Sequence, residues 1–113
     1  MLAPIKFIRG VVMSKHVIET VTFKLLESVT QAQFLEAAQQ ATAFMTACPG
    51  FLRRRLSSEG NGTWIEHVEW ASMAHAKAAA AEIGKDDRAR AFVQAIDGPS
   101  VTLAHSELMV SVG

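Results

Sequence analysis

His67 and Glu69 stand two residues apart in the segment TWIEHVEWA, Thr63 to Ala71. In an extended segment side chains alternate, so both share a face with Ile65. An imidazole beside a carboxylate is a minimal general base with an orienting partner, because histidine titrates near neutral pH. Any strand with polar alternation produces the same spacing, and a solvated or cross-strand pair is the other reading. His105 and Glu107 repeat the pattern near the C-terminus, as a second proton acceptor or as a dimer or solvent contact. His67, Glu69 and His105 are therefore the candidate catalytic residues.

The opposite face of the same segment carries Trp64, Glu66, Val68 and Trp70. The two indoles could stack a planar ligand or fill a core. Arg53, Arg54 and Arg55 form a basic run whose alternation sends Arg54 one way and its neighbours the other. Arg54 could hold an anionic group of a substrate. Ion pairing across a hairpin to Glu66 or Glu69 competes with that role.

Other residues exclude chemistry. Four histidines fall on separate segments without H-E-x-x-H or comparable spacing, so no metal is expected. His16 precedes the first strand and is expected to be exposed. Cys48 is the only cysteine, which rules out an intrachain disulfide and a thiolate zinc site within one chain. A reducing, cytoplasmic compartment is the simplest expectation. Cys48 ends a helix, where the local field does not favour a thiolate. Gly60-Asn61-Gly62 is a hairpin turn and not a phosphate loop, since no helix follows directly.

These residues need elements to position them. Val17 to Leu26 is rich in β-branched and aromatic residues, with Val17, Val21, Phe23 and Leu25 on one face and Glu19 breaking it. Thr30 and Gln33 have capping-box spacing for a helix to Ala47, stopped by Cys48-Pro49-Gly50. Phe51 to Ser58 and Thr63 to Ala71 make a hairpin. Ser72 can cap a second helix through Ile83, broken near Gly84. Asp86 can cap a short helix from Asp87 to Ile96, and Val101 to Val110 reads as a last strand. The order strand, helix, strand, strand, helix, strand predicts an α+β ferredoxin-like domain with a four-stranded antiparallel sheet. Helices on one side leave the other sheet face uncovered. That face is expected to carry apolar residues whichever register holds, and a second copy covers it most simply, giving a homodimer.

The 113 residues suit one domain, and formal charge is zero, with 11 Lys plus Arg against 11 Asp plus Glu. No nucleic-acid or membrane partner is expected from that balance. No apolar run reaches the roughly 18–20 residues that span a bilayer. Residues 1–15 read as an N-terminal extension before a domain over residues 16–113. Lys6 and Arg9 interrupt the apolar block a signal peptide needs. The apolar residues of Ile5 to Met13 point to packing against the domain or its partner, and a translated leader is the other reading.

Three stretches carry a resemblance: Pro49-Gly50-Phe51-Leu52, Trp64 to Trp70 leading into Ala71-Ser72 and an alanine-rich helix, and Ala91-Phe92 to Ile96-Asp97. Together they resemble the antibiotic biosynthesis monooxygenase family of small dimeric α+β barrels, over roughly Val17 to Val110. That resemblance implies oxygenation or related chemistry on a small, electron-rich aromatic molecule, sometimes without metal or flavin. The sequence departs from the family at Val68, where many members have glutamate, and at Ala79, where many have histidine; His75 lies about one turn earlier on that helix. The haem-degrading relatives use a first-strand asparagine and a second-helix tryptophan and histidine. Here the first strand offers Thr20 and Thr22, and the second helix has no tryptophan, so no haem and no other cofactor is expected. Candidate ligand-binding residues are Arg54, Trp64, Trp70, Thr20 and Thr22. A cofactor-independent monooxygenase and a non-catalytic ligand-binding or structural homodimer are the two functional expectations, which fold cannot separate.

Overall fold

The computed structural model of the chain describes residues 15–113, so the readings for Met1 to Ser14 lie outside the described residues. Strand β1 spans Val17–Lys24 and helix α1 spans Gln31–Ala47. Thr30 caps α1 as its spacing requires: Thr30 Oγ1 accepts from Gln33 N–H, and Gln33 Oε1 accepts from Thr30 N–H. Strands β2, Phe51–Ser58, and β3, Thr63–Trp70, form the expected hairpin. Ser72 caps α2, Met73–Ile83, and Asp86 caps α3, Asp87–Ala95. A single 3₁₀ turn over Gly98–Ser100 leads into β4, Thr102–Glu107.

The four strands lie in the order β2-β3-β1-β4, each pair antiparallel, with β2 and β4 at the edges. This is the ferredoxin-like arrangement. Among the described residues no helix is long and apolar enough to cross a membrane.

Alternation sends Val17, Val21 and Phe23 of β1, and Trp64, Val68 and Trp70 of β3, to the helix-covered face. Phe34 of α1 is fully buried at the centre. Its ring meets Phe23 edge-on at 5.7 Å, Trp64 at 4.9 Å and Phe92 of α3, stacked, at 5.3 Å. Such aromatic geometry adds about 0.5–1.5 kcal/mol per pair beyond area burial.

The open face corrects one expectation. Ile18 and Ile65 give it some apolar surface, but Thr20, Thr22, Arg53, Arg55, His67 and Glu69 dominate it. The apolar residues of β1 and β3 had already been drawn to the helices. His16 also differs from its expectation. It is half-buried, with Nδ1 3.1 Å from Glu69 Oε2.

Gly50 fixes how the chain leaves α1. Its φ of +80° lies in the left-handed region, where a side chain is strained. A Cβ there would lie 2.2 Å from His75 Cγ. His75 cannot easily yield, because its Nδ1 is 2.8 Å from Ser72 Oγ. Gly50→Ala should therefore destabilise the fold by at least about 1 kcal/mol. Adding His75→Ala should recover the steric part but not the backbone part, as read by urea midpoints. Equal stability of Gly50→Ala and wild type would contradict this account.

Candidate functional site

Two concavities lie on opposite faces of the sheet. The first, about 280 Å³, sits between the sheet and the helices. Its floor is Glu19, Val21 and Phe23 of β1 with Glu66, Val68 and Trp70 of β3, and its roof includes Ala79, Ala80 and Ile83 of α2 and Phe92 of α3. The space has a local cause. Helix α2 reads MAHAKAAAAEI, and its alanines bring too little volume to fill the gap above Val21 and Val68. Val93, Val101 and Leu103 surround the cavity mouth and are well exposed.

Two carboxylates interrupt this apolar lining. Glu66 is 3% exposed and carries an ion pair to Arg54. Arg54 Nε donates to Glu66 Oε2, and Arg54 Nη2 donates to Oε1 at 3.1 Å. Arg54 Nη1 donates to Ala38 O at 2.7 Å and Thr42 Oγ1 at 3.0 Å, and the guanidinium carbon lies 5.1 Å from the centre of the Phe92 ring. Burial pushes the Glu66 carboxyl above its usual range. The hydrogen bonds and charge of Arg54 oppose that shift, and the nearby Glu19 charge reinforces it.

Glu19 is the second carboxylate. Register places it opposite His105 of β4 and Val68 of β3. His105 Nε2 is 2.8 Å from Glu19 Oε2, and the two side chains are 21% and 13% exposed. With Glu19 Oε2 as the acceptor of this bond, His105 Nε2–H is its donor. In the sequence Glu19 shows as a break in an apolar face and carries no mark of a site. That break was the available signal, because buried charge on a core face violates the local pattern.

The predicted residues separate accordingly. Trp70 lines the helix-side cavity, where its Nε1 is buried without a hydrogen bond among the described residues. Trp64 packs in the core against Phe34. Arg54 and His105 reach the cavity through Glu66 and Glu19. His67 and Glu69 lie on the open face, beside Arg53, Arg55, Ile18, Leu108 and Ser111, in a second concavity of about 310 Å³. Thr20 and Thr22 point to that face as well, opposite His67 and Ile65. His67 and His105 thus cannot serve one site within a protomer. Cys48 is half-buried, and burial pushes its thiol up. Among the described residues no three His, Cys, Asp or Glu side chains gather as a metal site would require.

No protein-family model matches the sequence, and no curated protein matches it. Solved structures do match in fold. SnoaB of Streptomyces nogalater, a cofactor-independent oxygenase, superimposes with a TM-score of 0.62 at 20% identity, covering 88% of this chain and 96% of that one. A Bordetella bronchiseptica protein assigned to the antibiotic biosynthesis monooxygenases gives 0.67 at 13% identity, over 81% of this chain and 95% of that one. The heme-degrading protein Rv3592 of Mycobacterium tuberculosis gives 0.58 at 20%, over 88% and 98%. The resemblance to antibiotic biosynthesis monooxygenases is therefore real at the level of fold. At these identities the likeness extends to architecture and not to activity.

The Glu66–Arg54 pair gives a pH signature. The native state holds the Glu66 proton more tightly than the unfolded chain. Between the ordinary value of 4.5 and the raised one, the native state therefore binds more protons. This contribution to stability is present at low pH and is lost as pH rises through that window. Glu66→Gln should remove that slope from the profile of unfolding free energy against pH. Arg54→Met should cost about 3–5 kcal/mol at neutral pH, because it leaves a buried carboxylate unpaired. A Glu66→Gln profile parallel to wild type would refute the assignment.

Proposed function

We propose that the chain is a cofactor-independent monooxygenase acting on a small aromatic molecule held in the helix-side cavity. The observation that carries this reading is an apolar cavity of ligand size with an oriented carboxylate in its wall. The oxygenase neighbour of the same fold supports it by analogy.

The reaction needs little from the protein. Loss of a proton from an acidic ring methylene leaves its electron pair on carbon. Transfer of those electrons to O₂, with bond formation, gives a peroxide at that carbon. Return of the proton to the peroxide and loss of water then give a carbonyl, so CH₂ and O₂ become C=O and H₂O. The cavity would hold the ring, exclude bulk water and accept the first proton. His105 acts in this reading from behind Glu19. His67 and Glu69 remain candidates only for a site on the open face.

Neutral small aromatics that carry an acidic ring methylene should give protein-dependent oxygen uptake, measured with an oxygen electrode. Ala79→Leu, which fills the cavity from α2, should reduce uptake at least tenfold while leaving the fold intact. Tight binding of the same compounds without any uptake would favour the non-catalytic alternative.

The working unit in this reading is a homodimer joined through the open sheet faces, located in the cytoplasm. Support for the dimer comes from Ile18 and Ile65 on the two central strands of an uncovered sheet and from the need of a small chain for more buried surface. Sedimentation at micromolar concentration should show a dimer, and only monomer would remove this part of the proposal.

A further inference from the structure

We propose that Glu19 Oε1 is the proton acceptor of the cavity, that His105 positions it, and that the cavity selects neutral, proton-donating aromatics over anionic ones. This rests on the reading of the cavity as a ligand site and names the atom and the substrate class.

Among the described residues two carboxylates are the only charged groups in the lining, and their oxygens are not equivalent. Both Glu66 oxygens accept from Arg54, so a ligand would have to displace the guanidinium to reach them. Arg54 in turn is committed to Glu66, Ala38 and Thr42, which leaves it poorly placed to hold an anionic substrate. Glu19 uses Oε2 for His105, and no protein hydrogen bond reaches its Oε1 among the described residues. Nor is Oε1 among the buried atoms without a partner, so it remains open to solvent or to the cavity. A ligand anion placed there would meet the Glu19 carboxylate across an apolar wall, with the Arg54 charge already taken up by Glu66, which is unfavourable at low dielectric. A neutral phenol or C–H acid would instead find a fixed acceptor.

The step is a simple proton transfer. The ligand O–H or C–H bond breaks, its electron pair stays on the ligand, and the proton bonds to Glu19 Oε1. His105 does not touch the ligand. By donating Nε2–H to Oε2 it fixes the carboxylate's orientation, so it is a positioning residue.

The photoacid 2-naphthol tests this. Its hydroxyl becomes strongly acidic on excitation, and the ionised form emits at longer wavelength. Bound to the wild-type chain at saturating protein, it should show the naphtholate band. Glu19→Gln should still bind the probe, by equilibrium dialysis, but lose that band. His105→Ala should weaken the band, and His105→Gln, which keeps an N–H donor, should restore it. A band unchanged in Glu19→Gln, or absent from bound wild type, overturns the assignment to Glu19 and leaves the cavity as a ligand site. Failure of 2-naphthol to bind the wild-type chain would instead remove the cavity as an aromatic site, and this proposal with it. An aromatic carboxylate such as 2-naphthoate should bind at least tenfold more weakly than 2-naphthol; equal or tighter binding would contradict the substrate class.

Discussion

Glu66 lies in the middle of an apolar face, between Trp64 and Val68, and the surrounding structure is arranged to make that tolerable. An unpaired carboxylate there would be strongly unfavourable, so Arg54 meets both of its oxygens. The same guanidinium reaches Ala38 O and Thr42 Oγ1 on α1 and lies over Phe92 on α3. One interaction therefore ties β2, β3, α1 and α3 together. Its importance lies in specificity more than in net energy, because buried ion pairs roughly offset their own desolvation. A slip of one residue in the β2–β3 register would turn Arg54 to the open face and leave Glu66 alone.

With β2, β3, α1 and α3 held in this way, the remaining helix decides whether the interior is filled. Helix α2 is capped by Ser72 and anchored where His75 packs over Gly50, but it brings mainly alanine to the sheet. The cavity is the consequence. Its polar groups arise from strand pairing: Glu19 and Glu66 on adjacent central strands, with His105 on the edge strand β4. The site thus rests on the sheet, whose geometry is stiff, while its roof and mouth belong to the lighter helical layer.

Much of the architecture could be read from local chemistry. The capping box at Thr30, the stop at Cys48-Pro49-Gly50, the hairpin and the caps at Ser72 and Asp86 all occur as expected. Strand ends were less accessible. Strand β1 stops at Lys24, because Leu25 forms an isolated bridge to Ile96 and Leu26 N–H bonds Ala95 O. Strand β4 starts after Val101, whose N–H is taken by Gly98 O in the 3₁₀ turn. These are contacts between distant segments, which periodicity does not encode. The open face is mainly polar rather than apolar, because which residues reach it depends on the register of all four strands.

The sequence by itself determined which side chains share a face: His67 with Glu69, Trp64 and Trp70 with Glu66, and Arg54 apart from Arg53 and Arg55. Strand alternation is a local rule and needs no partner. Only the tertiary structure decided which face holds the cavity and which distant groups meet there. Glu19 and His105 are 86 residues apart, and nothing in either segment names the other. Their contact follows from the β1–β4 register, which long-range pairing and the packing of the helices select together. The physical reason is that a strand fixes the direction of its side chains locally, whereas the neighbour each one meets is set by the whole fold.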